Sequence, residues 1–226
     1  MTTFALIPGA DGRARYWHRV VPELTARGHR AVTMDLPDDP AAGLGTHAET
    51  VVAAVGPPPY PGGLVLVAQS LAGFHAPLVA ERLPVDGIVL LNAMVPEPGE
   101  TAGEWWENTG QPAARRAFAA EQGRDPEAPF DPRSDFFHDV PEEIAEQALA
   151  EPPGGGPSDA LFLDPWPLLA WPDVPTRVLQ GRDDRFFPLT FQRRVARDRL
   201  GLPVEALPGG HLLALSRPAE LAERLG

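Results

Sequence analysis

The stretch Leu64-Val65-Leu66-Val67-Ala68-Gln69-Ser70-Leu71-Ala72-Gly73 decides the fold. Its first five residues are apolar and include β-branched valines, the pattern of a strand buried on both faces. From Leu71 to Leu83 the chain reads as an apolar helix of the kind packed against a sheet. Ser70 stands at the junction, with Ala68 and Ala72 two residues away on either side. A serine in a tight strand-to-helix turn needs small neighbours because the backbones crowd together. Such a turn lifts Oγ to the start of the helix, where free amides favour a developing anion. A serine at this junction is also the ordinary choice for a helix N-cap, so the stretch alone does not separate the two readings.

Outward from it, five more short apolar runs are bounded by Gly or Pro: Phe4 to Ile7, Arg30 to Met34, Gly87 to Leu91, Thr176 to Leu179 and Val204 to Leu207. Longer helical patterns separate them, which predicts an α/β protein with about six mainly parallel strands and helices on both faces. One helix is expected around Trp17 to Leu24, stopped by Gly28, and the last from Pro218 to Leu225, with Ser216 as its N-cap. The segment from about 96 to 171 breaks the alternation with helices at Ala113 to Gln122 and Pro141 to Ala150, a glycine run at 154–156 and several aromatics. It reads as a small helical cap inserted after the fourth strand of a single domain spanning 1–226. Pro57 to Pro61 reads as a rigid surface connection.

Two further loops follow predicted strands. Gln180-Gly181-Arg182-Asp183-Asp184 carries adjacent carboxylates, and Pro208-Gly209-Gly210-His211-Leu212 places a histidine before the last helix. Ligand-facing groups of open α/β sheets lie beyond the carboxyl ends of strands, and imidazole is suited to proton transfer near neutrality. One of the two aspartates should accept the Nδ1 proton of His211 and fix its tautomer. Asp35 and Asp86 have a plainer reading at strand ends. Asp11 reads as a loop-capping carboxylate and His138 as part of a solvated turn.

Composition removes other chemistry. With 226 residues the chain can bury a large core unaided. No cysteine is present, so disulfides, thiolate metal sites and a cysteine nucleophile are excluded, and no lysine is present, so Schiff-base chemistry and a lysine phosphate loop are too. A net charge of -12 disfavours nucleic acid and anionic membranes as partners. The short apolar run before Pro8 lacks a basic start, and no apolar run approaches the length of a bilayer span; the expectation is a cytoplasmic protein, monomer or homodimer.

Ser70 with its flanking alanines resembles the Gly-x-Ser-x-Gly nucleophile elbow of the α/β-hydrolases, and the order Ser70, Asp184, His211 is that superfamily's order. The chain is most similar to the branch of plant methylesterases, hydroxynitrile lyases and bacterial esterase-like proteins, particularly over Trp17 to Pro37, Leu91 to Glu100 and His211 to Leu221. The resemblance implies an α/β-hydrolase fold and a cofactor-free, metal-free serine hydrolase acting on a small, largely apolar carboxylic ester. It implies Ser70 as nucleophile, His211 as base and Asp184, rather than Asp183, as the orienting acid. Ile7-Pro8-Gly9-Ala10 corresponds to the oxyanion loop, so the amides of Ala10 and Leu71 are the expected donors; Pro8 stands where relatives usually carry histidine. Trp105, Trp106, Phe118, Phe136, Phe137, Phe187 and Leu212 are candidates to line the pocket. The lyases of this branch place a lysine beside the catalytic histidine, and this chain has none. A cyclase or dehydratase, or a ligand receptor on the same fold, are the alternatives to ester hydrolysis.

Overall fold

A computed structural model describes residues 1–150 and 158–226, so the glycine run at 154–156 lies outside the described residues. The six strands are β1 (Thr3–Ile7), β2 (Arg30–Thr33), β3 (Leu64–Gln69), β4 (Gly87–Leu91), β5 (Thr176–Gly181) and β6 (Val204–Leu207). They form one sheet in the order β2-β1-β3-β4-β5-β6, with every pair parallel. Parallel strands need crossovers, and helices on both faces bury the inner strands twice, while the edge strands β2 and β6 stay partly exposed. In β1, Ala5 and Ile7 join one core while Phe4 and Leu6 join the other. In β3, Leu66 and Ala68 enter the first core and Val67 the second. This period of two inside an unbroken apolar run explains why the strands were readable without polar alternation.

The first core is completed by α2 (Leu44–Val55), α3 (Ala76–Ala80) and α9 (Leu189–Leu200), through Val51, Val55, Val79, Phe191 and Val195. The second is completed by α1 (Val20–Ala26), α10 (Leu213–Ser216) and α11 (Pro218–Leu225), through Val20, Leu24, Leu213 and Leu221. Between β4 and β5 lie α4 (Ala102–Thr109), α5 (Gln111–Glu121), α6 (Pro132–Asp135), α7 (Glu142–Ala150) and α8 (Asp159–Leu163). The segment's entry is anchored by Glu100, almost fully buried, which is paired with Arg199 of α9 and accepts a bond from Asn108.

Three sequence expectations differ from the structure. The helix from Leu71 to Leu83 is divided into a 3-10 turn, Ser70–Phe74, and the short α3, because Pro77 supplies no N–H to carry helical bonding through from the preceding turn and is instead taken in the first turn of α3. Ser216 does not cap α11: it ends α10, its hydroxyl has no partner among the described residues, and Arg217 occupies the N-cap position without a capping side chain. The first helix is also displaced, with a 3-10 turn at Ala14–Trp17 before α1.

Strand order reverses between β1 and β3: the chain moves outward from β1 to β2, then returns to build the other half of the sheet. The carboxyl ends of strands flanking such a point bound a natural crevice. The loop after β1 and the turn after β3 meet there.

Candidate active site

The turn after β3 is strained in the way a nucleophile turn is. Ser70 has φ +53°, a left-handed conformation that costs a non-glycine residue about 1–3 kcal/mol and persists only where packing enforces it. Ser70 is 8% exposed, and its carbonyl accepts the Met94 amide at 2.9 Å. Two glycines permit the crowding. A Cβ on Gly73 would meet the Met94 carbonyl oxygen at 1.8 Å, and one on Gly9 would meet the Gln69 side chain at 2.1 Å and Ser70 Cβ at 3.0 Å. Gly9 thus lets the loop after β1 close onto the serine. Ala10 and Leu71 line one small cleft beside this contact. Leu71 lies in the first turn of a 3-10 helix, where an N–H has no helical acceptor.

Across the carboxyl edge, His211 and Asp184 are both buried, and the ring Nδ1 lies 2.8 Å from Asp184 Oδ2. The carboxylate is held by other donors as well. The amides of Phe186 and Phe187 reach Oδ1 at 2.8 and 2.9 Å, and Gln180 Nε2 reaches Oδ2 at 2.9 Å. A carboxylate so saturated is fixed in place, and Nδ1–H donating to it leaves Nε2 as the basic atom. Asp183 points elsewhere: it pairs with Arg182 and accepts the Gly209 amide at 3.3 Å. It braces the histidine loop without touching the ring.

Asn92, at the end of β4, was not singled out in the sequence. Its Oδ1 accepts the Gly181 amide at 2.7 Å, while Nδ2 donates to the carbonyls of Gly210 and His211 at 3.1 and 2.7 Å. One fully buried amide therefore ties the acid-bearing strand to the histidine loop, from a left-handed backbone (φ +46°) that asparagine tolerates. A lone asparagine after an apolar strand carries little signal by itself.

The aromatic candidates divide. Phe136 stacks on the His211 ring, centroids 4.7 Å apart and planes 14° apart, while Phe186 and Phe187 present edges at 5.4 and 5.2 Å. Phe186 was missed because one of two adjacent phenylalanines looks like the other in sequence. Trp105 is fully enclosed, its indole donating to the Val95 carbonyl, and belongs to the core rather than to a pocket wall. Trp106 is half-buried against Phe186 and Phe187. Phe137 and Leu212 pack against the second core. Phe118 is half-buried on α5. Of the remaining acids, Asp11 caps its own loop through the Arg13 amide, Asp35 accepts the Ala14 amide, and Asp86 accepts the Leu64 amide. His138 lies in a turn as expected but is half-buried, with a buried Nε2 that lacks a partner among the described residues.

Residues 4–224 match the model of the alpha/beta hydrolase family. The chain belongs to the α/β-hydrolase family. Within it, the chain is similar to a pyrethroid hydrolase of Sphingobium wenxiniae, 29% identical over an alignment that takes in 100% of this chain and 86% of that protein. The crystal structure of a pyrethroid hydrolase from Sphingobium faniae superposes with a TM-score of 0.73 at 25% identity, covering 99% of this chain and 95% of that one. A methylesterase of Arabidopsis superposes at 0.76 with 17% identity, covering 100% and 97%, a likeness of fold. The resemblance to this hydrolase branch read from the sequence, and the parallel sheet that goes with it, are both present. Among the described residues no helix is long and apolar enough to cross a membrane, and no cluster of three or more His, Asp or Glu stands ready for a metal.

Proposed function

We propose that this chain is a serine hydrolase that cleaves a small, largely apolar carboxylic ester through an acyl-enzyme, working as one domain with residues 96–171 as its cap. Ser70 Oγ attacks the ester carbonyl while His211 Nε2 takes its proton. The amides of Ala10 and Leu71 receive the oxygen as it becomes an anion. His211 then returns the proton to the leaving alcohol, and water, deprotonated by the same nitrogen, cleaves the acyl-enzyme. The sequence of steps consumes no cofactor.

The observation that carries this reading is the buried 2.8 Å contact between His211 Nδ1 and Asp184, with the carboxylate held by three further donors. So complete a support for one histidine, at the strand edge that also bears a strained serine, is what a general base requires. Phe136 and Phe186 close over the imidazole, which favours an apolar leaving group or acyl chain beside it. The pyrethroid hydrolases among the relatives, by their name, agree with hydrolysis. Turnover of p-nitrophenyl acetate, butanoate and octanoate tests it: the parent should cleave the shorter apolar esters, and Ser70→Ala should reduce kcat/KM by at least about 1,000-fold. Full activity in Ser70→Ala would end the proposal.

A further inference from the structure

Two histidines that the proposed reaction does not use stand beside it. His75 follows Ser70 by five residues and is fully buried; His47, on α2, is 5% exposed. Their rings lie 4.9 Å apart, and none of their four nitrogens has a hydrogen-bond partner among the described residues. The Pro37 carbonyl lies toward His47 without closing a hydrogen bond. Buried polar atoms are almost always paired, and each left unpaired costs about 1–3 kcal/mol. A pair of such rings so close to a catalytic serine therefore calls for a function.

Both rings line the small cleft whose other walls include Gly9, Ala10, Asp11 and Leu71. The cleft thus abuts the two residues whose amides are assigned to the oxyanion. The cleft has room of about 10 Å³, enough for one water or one hydroxyl group. Charge narrows the occupant. Burial holds His75 down to about 3, with His47 adding to the effect, and burial lowers His47 too, so both rings are neutral at ordinary pH. Neutral imidazole offers one donor and one acceptor. A carboxylate would want imidazolium and would face Asp11 and Asp38, which also line the cleft; a hydroxyl matches a donor and an acceptor together. The leaving alcohol has to lie toward His211, which is not among the walls of this cleft, so the acyl group is the part of the substrate that faces it.

We infer that His47 and His75 form a polar recognition site for a neutral hydroxyl group on the acyl portion of the substrate, so that the preferred esters are those of short hydroxy acids. This rests on the ester-hydrolase reading above and specifies its substrate class. The two residues bind and position; neither transfers a proton in the reaction.

The test compares kcat/KM for p-nitrophenyl esters of butanoic, 2-hydroxybutanoic and 3-hydroxybutanoic acids in the parent, His75→Leu, His75→Gln and His47→Asn. One hydroxylated ester should be preferred over butanoate by about tenfold in the parent, the yield of one hydrogen bond. That preference should vanish in His75→Leu and return in part in His75→Gln, which retains a donor and an acceptor. In parallel, ring ¹⁵N resonances of His75 and His47 are followed in Ser70→Ala while methyl butanoate and its 2- and 3-hydroxy counterparts are added. The rings should respond to one hydroxylated ester and not to butanoate. Should His75→Leu fail to fold, His47→Asn and the ring titration decide. Equal preference in parent and variants, or rings indifferent to the hydroxyl, overturns the inference and leaves the pair a site for bound water. Ring responses without ester turnover in the parent would instead keep the recognition site and remove the hydrolase reading.

Discussion

Two adjacent aspartates have different surroundings, and the geometry separates them on the side the resemblance favoured. Asp184 is enclosed, accepts two backbone amides and faces His211, whereas Asp183 is partly exposed and paired with Arg182, which holds its carboxyl below the usual carboxylate range. Asp184→Asn presents an amide donor where the imidazole needs an acceptor, favouring the wrong tautomer. A loss in kcat of about 1,000-fold or more is expected, against less than about tenfold for Asp183→Asn, which only loosens the loop. Steady-state kinetics on p-nitrophenyl butanoate read both; comparable losses would mean that the acid's role is shared. The pattern of acids after β5 was legible because a parallel sheet puts its loops at one edge. Asn92 was not, because its three bonds join segments about ninety and a hundred and twenty positions away.

At the scale of elements, the segment between β4 and β5 grips the imidazole by one residue. Phe136 follows Asp135, whose carboxylate is 2% exposed and lies 2.9 Å from Arg115 and 3.6 Å from Arg124. Asp135 also accepts the Asp131 amide, closing α6 on itself. Removing this charge in Asp135→Ala strands two guanidinium groups, the more buried 19% exposed; a loss of about 3 kcal/mol is expected in urea denaturation. The same change should lower kcat/KM by releasing Phe136 from His211. A stable variant with unaltered kinetics would show that the stacking is incidental. Periodicity revealed α5 and α7 because their apolar faces recur at helical spacing. It gave no warning of the division at Pro77 or of α2, whose N-cap, Gly43, offers no capping side chain. Trp105 and Trp106 illustrate a similar limit: adjacent tryptophans read alike, yet one finds a buried carbonyl for its N–H and goes inside.

Across the whole molecule, the buried His47–His75 pair makes stability depend on pH. The folded-state value for His75, about 3, lies below the ordinary value of 6.5, so the unfolded chain binds more protons between these limits. Stability is therefore untouched above about pH 6.5 and falls as pH drops toward 3, by at most about 1.4 kcal/mol per unit from this group; His47 acts in the same direction. Urea midpoints at pH 7, 6, 5 and 4 should decline in the parent and decline less steeply in His75→Leu. Identical slopes would show that other groups govern acid sensitivity.

The architecture was readable at this scale because six short apolar runs separated by helical patterns leave few ways to arrange the chain; the reversal of strand order, which the sequence did not show, brings the loop after β1 against the turn after β3. Whether the strained serine at that turn is a nucleophile is best decided by intact-mass spectrometry after exposure to a fluorophosphonate. One equivalent of adduct, located on Ser70 by peptide mapping, lost in Ser70→Ala and slowed in Asp184→Asn, is the expected result. A parent protein that stays unlabelled, or a Ser70→Ala variant labelled as fast as the parent, would contradict it.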